Sequence, residues 1–362
     1  MFQSKKLVQQ RNVAILKPNK NPIVHYKILR LHQKNIIYNM SNTINSPLNL
    51  KKIPIDLGGA FPICIEPARR NFPDVEWMRA MMDSYYETEN FVCDNSAVFF
   101  VHGGCPTPQM IDCLQGQRFF LATRPDEISR ETAKWLVERG CCGIELNVYT
   151  LQRSVLNRNS MDYNFEIVSD MVDFFRENHI EVGLHLVYGL PHSNHNHAIL
   201  DVEMACQLPI DYLRLAPVLV LSGSELEIMF RAGRYTPVTL DDSIEWLLQC
   251  VSICEQHGIR ISRMGWQDRN DFGVAAIAGP ICSNLRGKVL SMRFLYRLMG
   301  AVAGYGGRDI VLSFHPKDEG YIRGENNQNI KFIQKKLRIA TWHMERDDNF
   351  IRGEMNCRGL HD

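Results

Sequence analysis

Residues 118–126 read Arg-Phe-Phe-Leu-Ala-Thr-Arg-Pro-Asp, a short apolar run that ends in a turn sequence. Residues 129–139 follow, with Ala133, Leu136 and Val137 at helical spacing, and residues 143–148 return to an apolar run. A strand, a helix and a second strand in this order are typical of one β/α unit of a parallel sheet. This segment therefore predicts an α/β fold.

The same alternation extends along the chain on both sides of this unit. The predicted strands are a segment around Ile53 and residues 97–101, 118–122, 143–148, 181–187, 212–216 and 259–264. A second helical pattern at residues 166–178 ends before His179, and Gly140 and Gly258 end others. About six β/α units favour a partial (β/α)6-type TIM barrel, although periodicity alone does not distinguish it from a doubly wound sheet.

The pattern changes near Gly279-Pro280, which predicts a barrel over residues 49–278 and a small C-terminal α+β extension over residues 279–362. In the extension, residues 309–314 and 339–344 are expected as strands and residues 326–337 as a helix. Residues 1–48 are predicted to be a disordered basic leader, since no Asp or Glu precedes Asp56. A targeting segment or a nucleic-acid arm is an alternative, and Met40 is a second candidate start.

Composition restricts the class of protein. The chain has 362 residues, a formal charge of +1 and 45% hydrophobic residues, and it contains no apolar run long enough to span a membrane. Because no signal peptide is predicted to accompany its 11 cysteines, we expect reduced thiols and a soluble cytoplasmic protein with no membrane partner. The cysteine spacings match no zinc or cluster pattern. Cys250 and Cys254 are expected to be buried structural residues.

Several motifs occur in a fixed order along the chain. They are His102-Gly103-Gly104, Thr123-Arg124-Pro125-Asp126, Glu145-Leu146-Asn147-Val148-Tyr149-Thr150, Gly189-Leu190-Pro191 and residues 215–226. This order resembles the branch of the radical-SAM superfamily that includes the catalytic subunit of the elongator complex and shorter, coproporphyrinogen oxidase-like bacterial proteins. The resemblance covers residues 50–355 and implies a radical-SAM-like barrel.

The resemblance implies that S-adenosylmethionine binds at the carboxyl ends of the barrel strands. The cofactor-binding residues carried over from the motifs are Gly103, Gly104, Arg124, Glu145, Gly189 and Pro191. Two alternatives remain open. Gly103-Gly104 is also typical of a tight turn, and the buried Glu145 could instead form an ion pair with Arg124.

The iron–sulfur motif of this superfamily differs in the chain. Its members hold a [4Fe–4S] cluster through a Cys-x3-Cys-x2-Cys loop after the first strand. Here residues 58–70 contain a single cysteine, Cys64, and an ungapped overlay puts Pro62, Glu66 and Arg69 at the thiolate positions. A [4Fe–4S] cluster is therefore unlikely from the motif, and no metal site is predicted. If a metal replaced the cluster, Glu66, His102 and His185 would be the first ligands to test.

Three functions follow as hypotheses, with the catalytic residues and the substrate unknown and the enzymatic status open. The first is a protein that binds S-adenosylmethionine or a related nucleoside, with altered or lost radical chemistry. The second is a cluster-free pseudoenzyme that acts as a binding or regulatory partner. The third is an active enzyme whose cluster is held by unconventional cysteines such as Cys64, Cys93 and Cys105.

Two further segments carry alternative interpretations. The run from His192 to His197, with His185 and Tyr188, suggests acid–base or metal-binding groups, but an exposed loop is the simpler interpretation. Arg323-Gly324-Glu325-Asn326 is similar to a backbone clamp for RNA, although a helix N-cap at Asn326 or Asn327 is simpler. An RNA or protein partner therefore stays a possibility beside a small-molecule ligand.

Overall fold

The computed structural model describes residues 51–56, 75–88, 96–101, 104–266 and 276–361. The strands of these residues are β1 (Lys51–Asp56), β2 (Ser96–Val101), β3 (Phe119–Thr123), β4 (Cys141–Tyr149), β5 (Glu181–Tyr188), β6 (Tyr212–Pro217), β7 (Val220–Leu221), β8 (Arg260–Met264), β9 (Ala276–Ala278), β10 (Ile310–Phe314), β11 (Trp342–Arg346) and β12 (Met355–Gly359).

The helices alternate with the strands over most of the chain. They are α1 (Val75–Thr88), α2 (Pro108–Cys113), α3 (Arg130–Glu138), α4 (Arg153–Arg158), α5 (Phe165–Glu177), α6 (His195–Ala205), α7 (Glu225–Arg231), α8 (Leu240–Gln256), α9 (Leu285–Ala301), α10 (Glu319–Arg323) and α11 (Gln328–Leu337). Side-chain caps begin several of them, and in α8 Thr239 and Asp242 form a reciprocal capping box.

Seven strands form a curled, fully parallel half-barrel in the order β1-β2-β3-β4-β5-β6-β8. The order of the strands in the sheet follows the order of the chain, whereas a doubly wound sheet reverses its direction at a switch point. The predicted α/β partial barrel is therefore confirmed. Its predicted strands match the observed ones within about two residues at each end, the uncertainty expected of any boundary assignment.

The two faces of the half-barrel differ in chemistry. On β4, Ile144, Leu146 and Val148 belong to a large apolar cluster that also contains residues of α3, α5, α6 and α8. The alternate side chains of the same strand, Glu145 and Asn147, lie on the opposite, inner face because successive residues of a strand point to opposite sides. The helices thus cover the outer face, and the inner face carries polar and aromatic groups.

The C-terminal extension has its own apolar cluster around the sheet β11-β10-β12, in which β10 pairs parallel with β11 and antiparallel with β12. Helix α9 joins the two clusters, since Leu285 and Val289 pack in the barrel cluster and Phe294 and Leu298 in that of the extension. The boundary predicted at residues 278 and 279 stays a prediction.

Three expectations for the extension need correction. The sequence analysis missed α9 and β12, and the strand expected at residues 339–344 lies at Trp342–Arg346. Helix α11 begins at Gln328, and Asn327 occupies the N-cap position with a left-handed φ of 62° and no side-chain cap. The expected capping by an asparagine side chain is therefore wrong, and the Asn327 side chain instead accepts from Arg323 Nη1 at 3.3 Å.

Two glycines on the inner face allow aromatic rings to cross neighbouring strands. A Cβ added to Gly143 would lie 2.2 Å from Phe120 Cδ1, and one added to Gly183 would lie 2.1 Å from Tyr212 Cε2. The rings of Phe120 and Tyr212 therefore lie where these side chains would be. Phe120 lies opposite Gly143, two residues before Glu145 in β4, and Tyr212 lies two residues before Arg214 in β6.

We expect Gly183→Ala to lower the free energy of unfolding by about 1–3 kcal/mol, because the new methyl group must displace the buried Tyr212 ring. The matched control is Gly320→Ala in α10, where an added Cβ meets nothing within 4 Å. Alanine at this helical position should stabilise the protein by about 0.5–1 kcal/mol. Urea unfolding of both variants measures the difference. Equal effects would contradict the packing of the Tyr212 ring over Gly183.

Candidate functional site

A row of polar side chains crosses the inner face of the half-barrel. Asn147 on β4 lies opposite His185 on β5, and His185 lies opposite Arg214 on β6. We call these three residues the inner row. Asn147 and His185 are almost fully buried. The row lies in the carboxyl-terminal halves of β4 and β5, the end at which parallel barrels bind ligands.

Glu145 forms a buried ion pair with the inner row. Its Oε1 accepts from Arg214 Nη1 at 3.1 Å, and the two side chains are only 6% and 15% exposed. Glu145 lies on β4 opposite Gly183 of β5, and Gly183 lies opposite Tyr212 of β6, which precedes Arg214 by two residues. The pairing of Glu145 with Arg124 suggested by the sequence is therefore wrong.

His185 is held as a neutral imidazole. Its Nδ1 lies 3.2 Å from Asn147 Oδ1, which can only accept, so Nδ1 carries the proton. Burial, followed by the charges of Arg214 and Arg263, lowers the pKa of His185 well below its ordinary value of 6.5. The unprotonated Nε2 is buried and has no hydrogen-bond partner within the described part of the chain. His185 therefore offers one hydrogen-bond acceptor to a ligand.

The lowered pKa of His185 predicts a pH dependence of stability. Below pH about 6.5 the unfolded chain binds a proton that the native imidazole does not, so stability falls as the pH decreases toward the folded pKa. The contribution is at most about 1.4 kcal/mol per pH unit. His185→Gln should remove this slope. Unfolding free energies of both proteins between pH 5.5 and 7.5 test this, and parallel curves would contradict a neutral His185.

Arg214 and Trp266 complete the inner face beside His185. Arg214 Nε is buried without a hydrogen-bond partner among the described residues, and the guanidinium lies 5.4 Å from the Trp266 ring centroid. The Trp266 indole donates to the Pro217 carbonyl at 2.6 Å, which fixes the ring. The rings of Tyr149 and Trp266 each lie 5.6 Å from the His185 ring.

The inner face therefore places a donor, an acceptor, a carboxylate and aromatic rings within one region. A buried polar atom without a partner costs about 1–3 kcal/mol, so His185 Nε2 and Arg214 Nε destabilise the protein unless a ligand satisfies them. Each such group in a native structure requires an explanation, and a functional role is one of them. The arrangement suits a flat, polar heterocycle better than an apolar ligand.

A second cluster lies where β3 ends. Gly104 has a φ of 74° and donates its amide to Glu127 Oε2 at 2.8 Å, while Arg124 Nε donates to Asp126 Oδ1 at 2.8 Å. Arg124 also lies 3.9 Å from Glu127. The structure thus joins two of the predicted site residues, Gly104 and Arg124, through Glu127. Gly103 and His102 lie outside the described residues.

The predicted residues Gly189 and Pro191 form a turn after β5. The Gly189 carbonyl accepts from the Tyr235 hydroxyl at 2.6 Å, and the Pro191 carbonyl accepts from Asn159 Nδ2 at 2.9 Å. Gly189 has a φ of 95°, and an added Cβ would lie 2.9 Å from Val238 Cγ1. These contacts explain the residue types structurally, and a role of either residue in cofactor binding stays a prediction.

The histidine run after β5 is only partly a loop. His195 begins α6, and Asn194 caps this helix by accepting from the His197 amide at 2.9 Å. The His195 Nε2 lies 3.1 Å from Gln249 Nε2 of α8. The expectation of a fully exposed loop is therefore wrong for His195 and His197, which lie on α6 outside the inner row.

Three residues of this region escaped the sequence analysis: Asn147, Arg214 and Trp266. Two of them had a signal, because Asn147 follows Glu145 at a spacing of two residues and Arg214 follows Tyr212 at the same spacing. Polar residues at every second position of a buried strand mark one face of the sheet. Trp266 follows β8 in a loop, and nothing in its neighbourhood distinguished it.

Among the described residues, no group of three or more His, Cys, Asp or Glu side chains lies together as a metal site. Cys105 is half-buried, and burial raises the pKa of its thiol to about 11. Cys64, Cys93, Glu66 and His102 lie outside the described residues. Cys250 and Cys254 are buried in α8, as expected.

None of the helices that the structure describes combines the length and the apolar character needed to cross a bilayer.

Comparison with known proteins identifies relatives. Residues 210–292 match the family model of the Radical_SAM C-terminal domain. Over 150 residues, 40% of this chain and 27% of the relative, the chain is 25% identical to a tRNA uridine(34) acetyltransferase of Methanocaldococcus jannaschii. It is also 25% identical over 137 residues, 36% of this chain and 25% of the relative, to Elongator complex protein 3 of Schizosaccharomyces pombe.

A solved structure shares the fold. The archaeal Elp3 of Methanocaldococcus infernus, lacking its N-terminal residues 1–46, superposes with a TM-score of 0.54 at 17% identity, over 73% of this chain and 66% of that chain. The chain spans between 25% and 41% of the lengths of the curated relatives it matches. With the ordered motifs and the parallel half-barrel, the sequence matches support a radical-SAM superfamily protein of the elongator branch.

Proposed function

We propose that the inner face of the half-barrel binds S-adenosylmethionine or a related nucleoside, and that the radical chemistry of the superfamily is lost or altered in this protein. The observation that carries the proposal is the pair of buried, unsatisfied atoms His185 Nε2 and Arg214 Nε on neighbouring strands. A heterocycle with both a donor and an acceptor on one edge satisfies them together.

Each group of the site has a role in this proposal. His185 accepts from a ring amino group, and Arg214 Nε donates to a ring nitrogen or carbonyl. The Glu145 carboxylate has acceptor capacity beyond its bond to Arg214, and it binds a ribose hydroxyl or an ammonium group. The motif residues Gly103, Gly104, Arg124, Gly189 and Pro191 are proposed to line the same ligand. When bound, S-adenosylmethionine supplies an activated sulfonium.

A [4Fe–4S] cluster does not fit the cysteines of this chain. The sequence contains no Cys-x3-Cys-x2-Cys motif, and the one Cys-x3-Cys pair, Cys250 and Cys254, continues with His257. This pair lies in α8, packed in the outer apolar cluster and away from the inner row. Three separate cysteines would have to converge to hold a cluster, so no step of the proposal passes through one.

Anaerobic reconstitution with iron and sulfide tests the loss of the cluster. We expect no stoichiometric iron or acid-labile sulfide, no charge-transfer absorption and no 5′-deoxyadenosine under reducing conditions. About four irons per chain, the content of a [4Fe–4S] cluster, with catalytic formation of 5′-deoxyadenosine would overturn this part of the proposal. Cys→Ala variants at positions 64, 93 and 105 would then identify the ligands.

A second candidate is a cluster-free pseudoenzyme that acts as a binding or regulatory partner, which the missing thiolate motif also favours. The nucleoside-binding protein and the pseudoenzyme differ in ligand binding, since only the nucleoside-binding protein requires a ligand on the inner face. The names of the relatives include a tRNA-modifying activity, which supports a nucleoside of RNA as the related ligand. If neither S-adenosylmethionine nor a related nucleoside binds, the proposal includes no catalytic role.

A further inference from the structure

A cleft separate from the inner face lies between the barrel and the C-terminal extension. It is open to solvent on one side and is bounded by α8 and β8 of the barrel and by α9 and α10. Its wall includes the apolar side chains of Ile259, Met264 and Leu290. The outer apolar cluster and the cluster of the extension both contribute residues to it.

The charges around this cleft do not cancel. Two carboxylates line it, and both are engaged: Glu255 pairs with Arg293, and Asp318 accepts from Arg352 Nε at 2.5 Å and from the Gly353 amide at 2.6 Å. The third lining guanidinium, Arg286, has no carboxylate partner among the described residues. One positive charge is therefore uncompensated.

Arg286 is poorly satisfied by the protein itself. Its Nη1 lies 3.3 Å from the Ile261 carbonyl and 3.4 Å from the Ser262 carbonyl, both longer than the usual hydrogen bond. Burial lowers its pKa, although a guanidinium stays protonated at neutral pH. Tyr321 lines the same cleft and can add a hydroxyl donor.

We propose that this cleft binds a small amphipathic carboxylate, with its anionic group at Arg286 and its apolar portion against Ile259, Met264 and Leu290. One uncompensated charge matches a monoanion better than a phosphate dianion. The largely apolar wall favours a hydrocarbon group behind the charge. Because the cleft is lined from both apolar clusters, the ligand stabilises the barrel and the extension together. The site is independent of the proposed nucleoside site.

Calorimetric and thermal titrations of the full chain with octanoate test the proposal. Octanoate binds and raises the melting temperature, while octanamide, which keeps the tail without the charge, binds at least about tenfold more weakly because it cannot form a charged hydrogen bond. Equal binding of the two probes, or no binding of octanoate, would overturn the proposal. Displacement of bound octanoate by inorganic phosphate, at a phosphate concentration below the octanoate concentration needed for binding, would also overturn the proposal.

Arg286→Met separates a binding role from a structural one. We expect a loss of octanoate affinity of at least about tenfold, with a melting temperature of the free protein that is unchanged or higher, because an uncompensated buried charge is removed. A lower melting temperature with unchanged octanoate affinity would show that Arg286 only stabilises β8, through its contacts with the Ile261 and Ser262 carbonyls. If the variant does not fold, the comparison of octanoate with octanamide on the unmodified chain still decides.

The matched control is Arg231→Met on α7, where the arginine is 67% exposed and paired with Glu227. Octanoate affinity should not change in this variant. An equal loss at both arginines would mean that octanoate follows the general charge of the surface, which would overturn the proposed site.

Discussion

Arg214→Met is expected to lower the free energy of unfolding by about 3–5 kcal/mol, because it leaves the buried Glu145 carboxylate without its partner. The Glu145 side chain is 6% exposed, so water does not replace the lost ion pair. Chemical denaturation followed by circular dichroism measures the change.

Two controls show whether burial causes this effect. The double variant Glu145→Leu with Arg214→Met removes both charges and should recover most of the loss, to within about 1–2 kcal/mol of the wild type. Arg231→Met breaks the exposed pair with Glu227 and should cost at most about 1 kcal/mol. A cost for Arg214→Met no larger than that for Arg231→Met would show that Glu145 is not isolated from water.

His185→Leu is expected to weaken binding of S-adenosylmethionine about 10- to 100-fold. The reason is that the amino group of the ligand would lie against a leucine side chain, which has no hydrogen-bond acceptor. Leucine keeps a buried side chain of similar size, so the fold should persist. Binding is measured by calorimetry on the iron-free protein, with circular dichroism as a check of folding.

The control for this prediction is His195→Leu. His195 lies on α6 beside Gln249, outside the inner row, and its loss should leave the affinity for S-adenosylmethionine within about twofold. If His185→Leu binds as tightly as the wild type, the acceptor at Nε2 does not contact the ligand. If both variants lose affinity equally, the effect reports a general change of the protein.

The strands of the barrel were predictable because each one is a short apolar run between turn signals. In β4 and β5 both faces are buried, which makes such runs continuous and easy to recognise. The extension was harder. Helix α9 carries basic residues among its apolar ones, and β12, at Met355–Gly359, is so short that its alternation rests on Met355 and Cys357 alone. Asn327 adopts a left-handed backbone conformation that its residue type permits but does not require.

The site was only partly predictable. Glu145 and His185 attracted attention because a charged or polar side chain inside an apolar strand is costly unless it has a partner. The partner of Glu145 could not be assigned correctly, since Arg214 lies two strands away on β6 and sequence does not show which side chains meet across β5. Trp266 lies just after β8 and contacts His185 of β5, and no local sequence pattern marks this contact.

The central claim is that the iron-free protein binds a nucleoside ligand on the inner face of its half-barrel. Calorimetric titration of the full chain with S-adenosylmethionine tests it most directly, with S-adenosylhomocysteine and adenosine as related probes. We predict saturable binding of one ligand per chain that the substitution of His185 weakens. The absence of binding of all three ligands at millimolar concentration would contradict the account and favour a protein that acts through a partner.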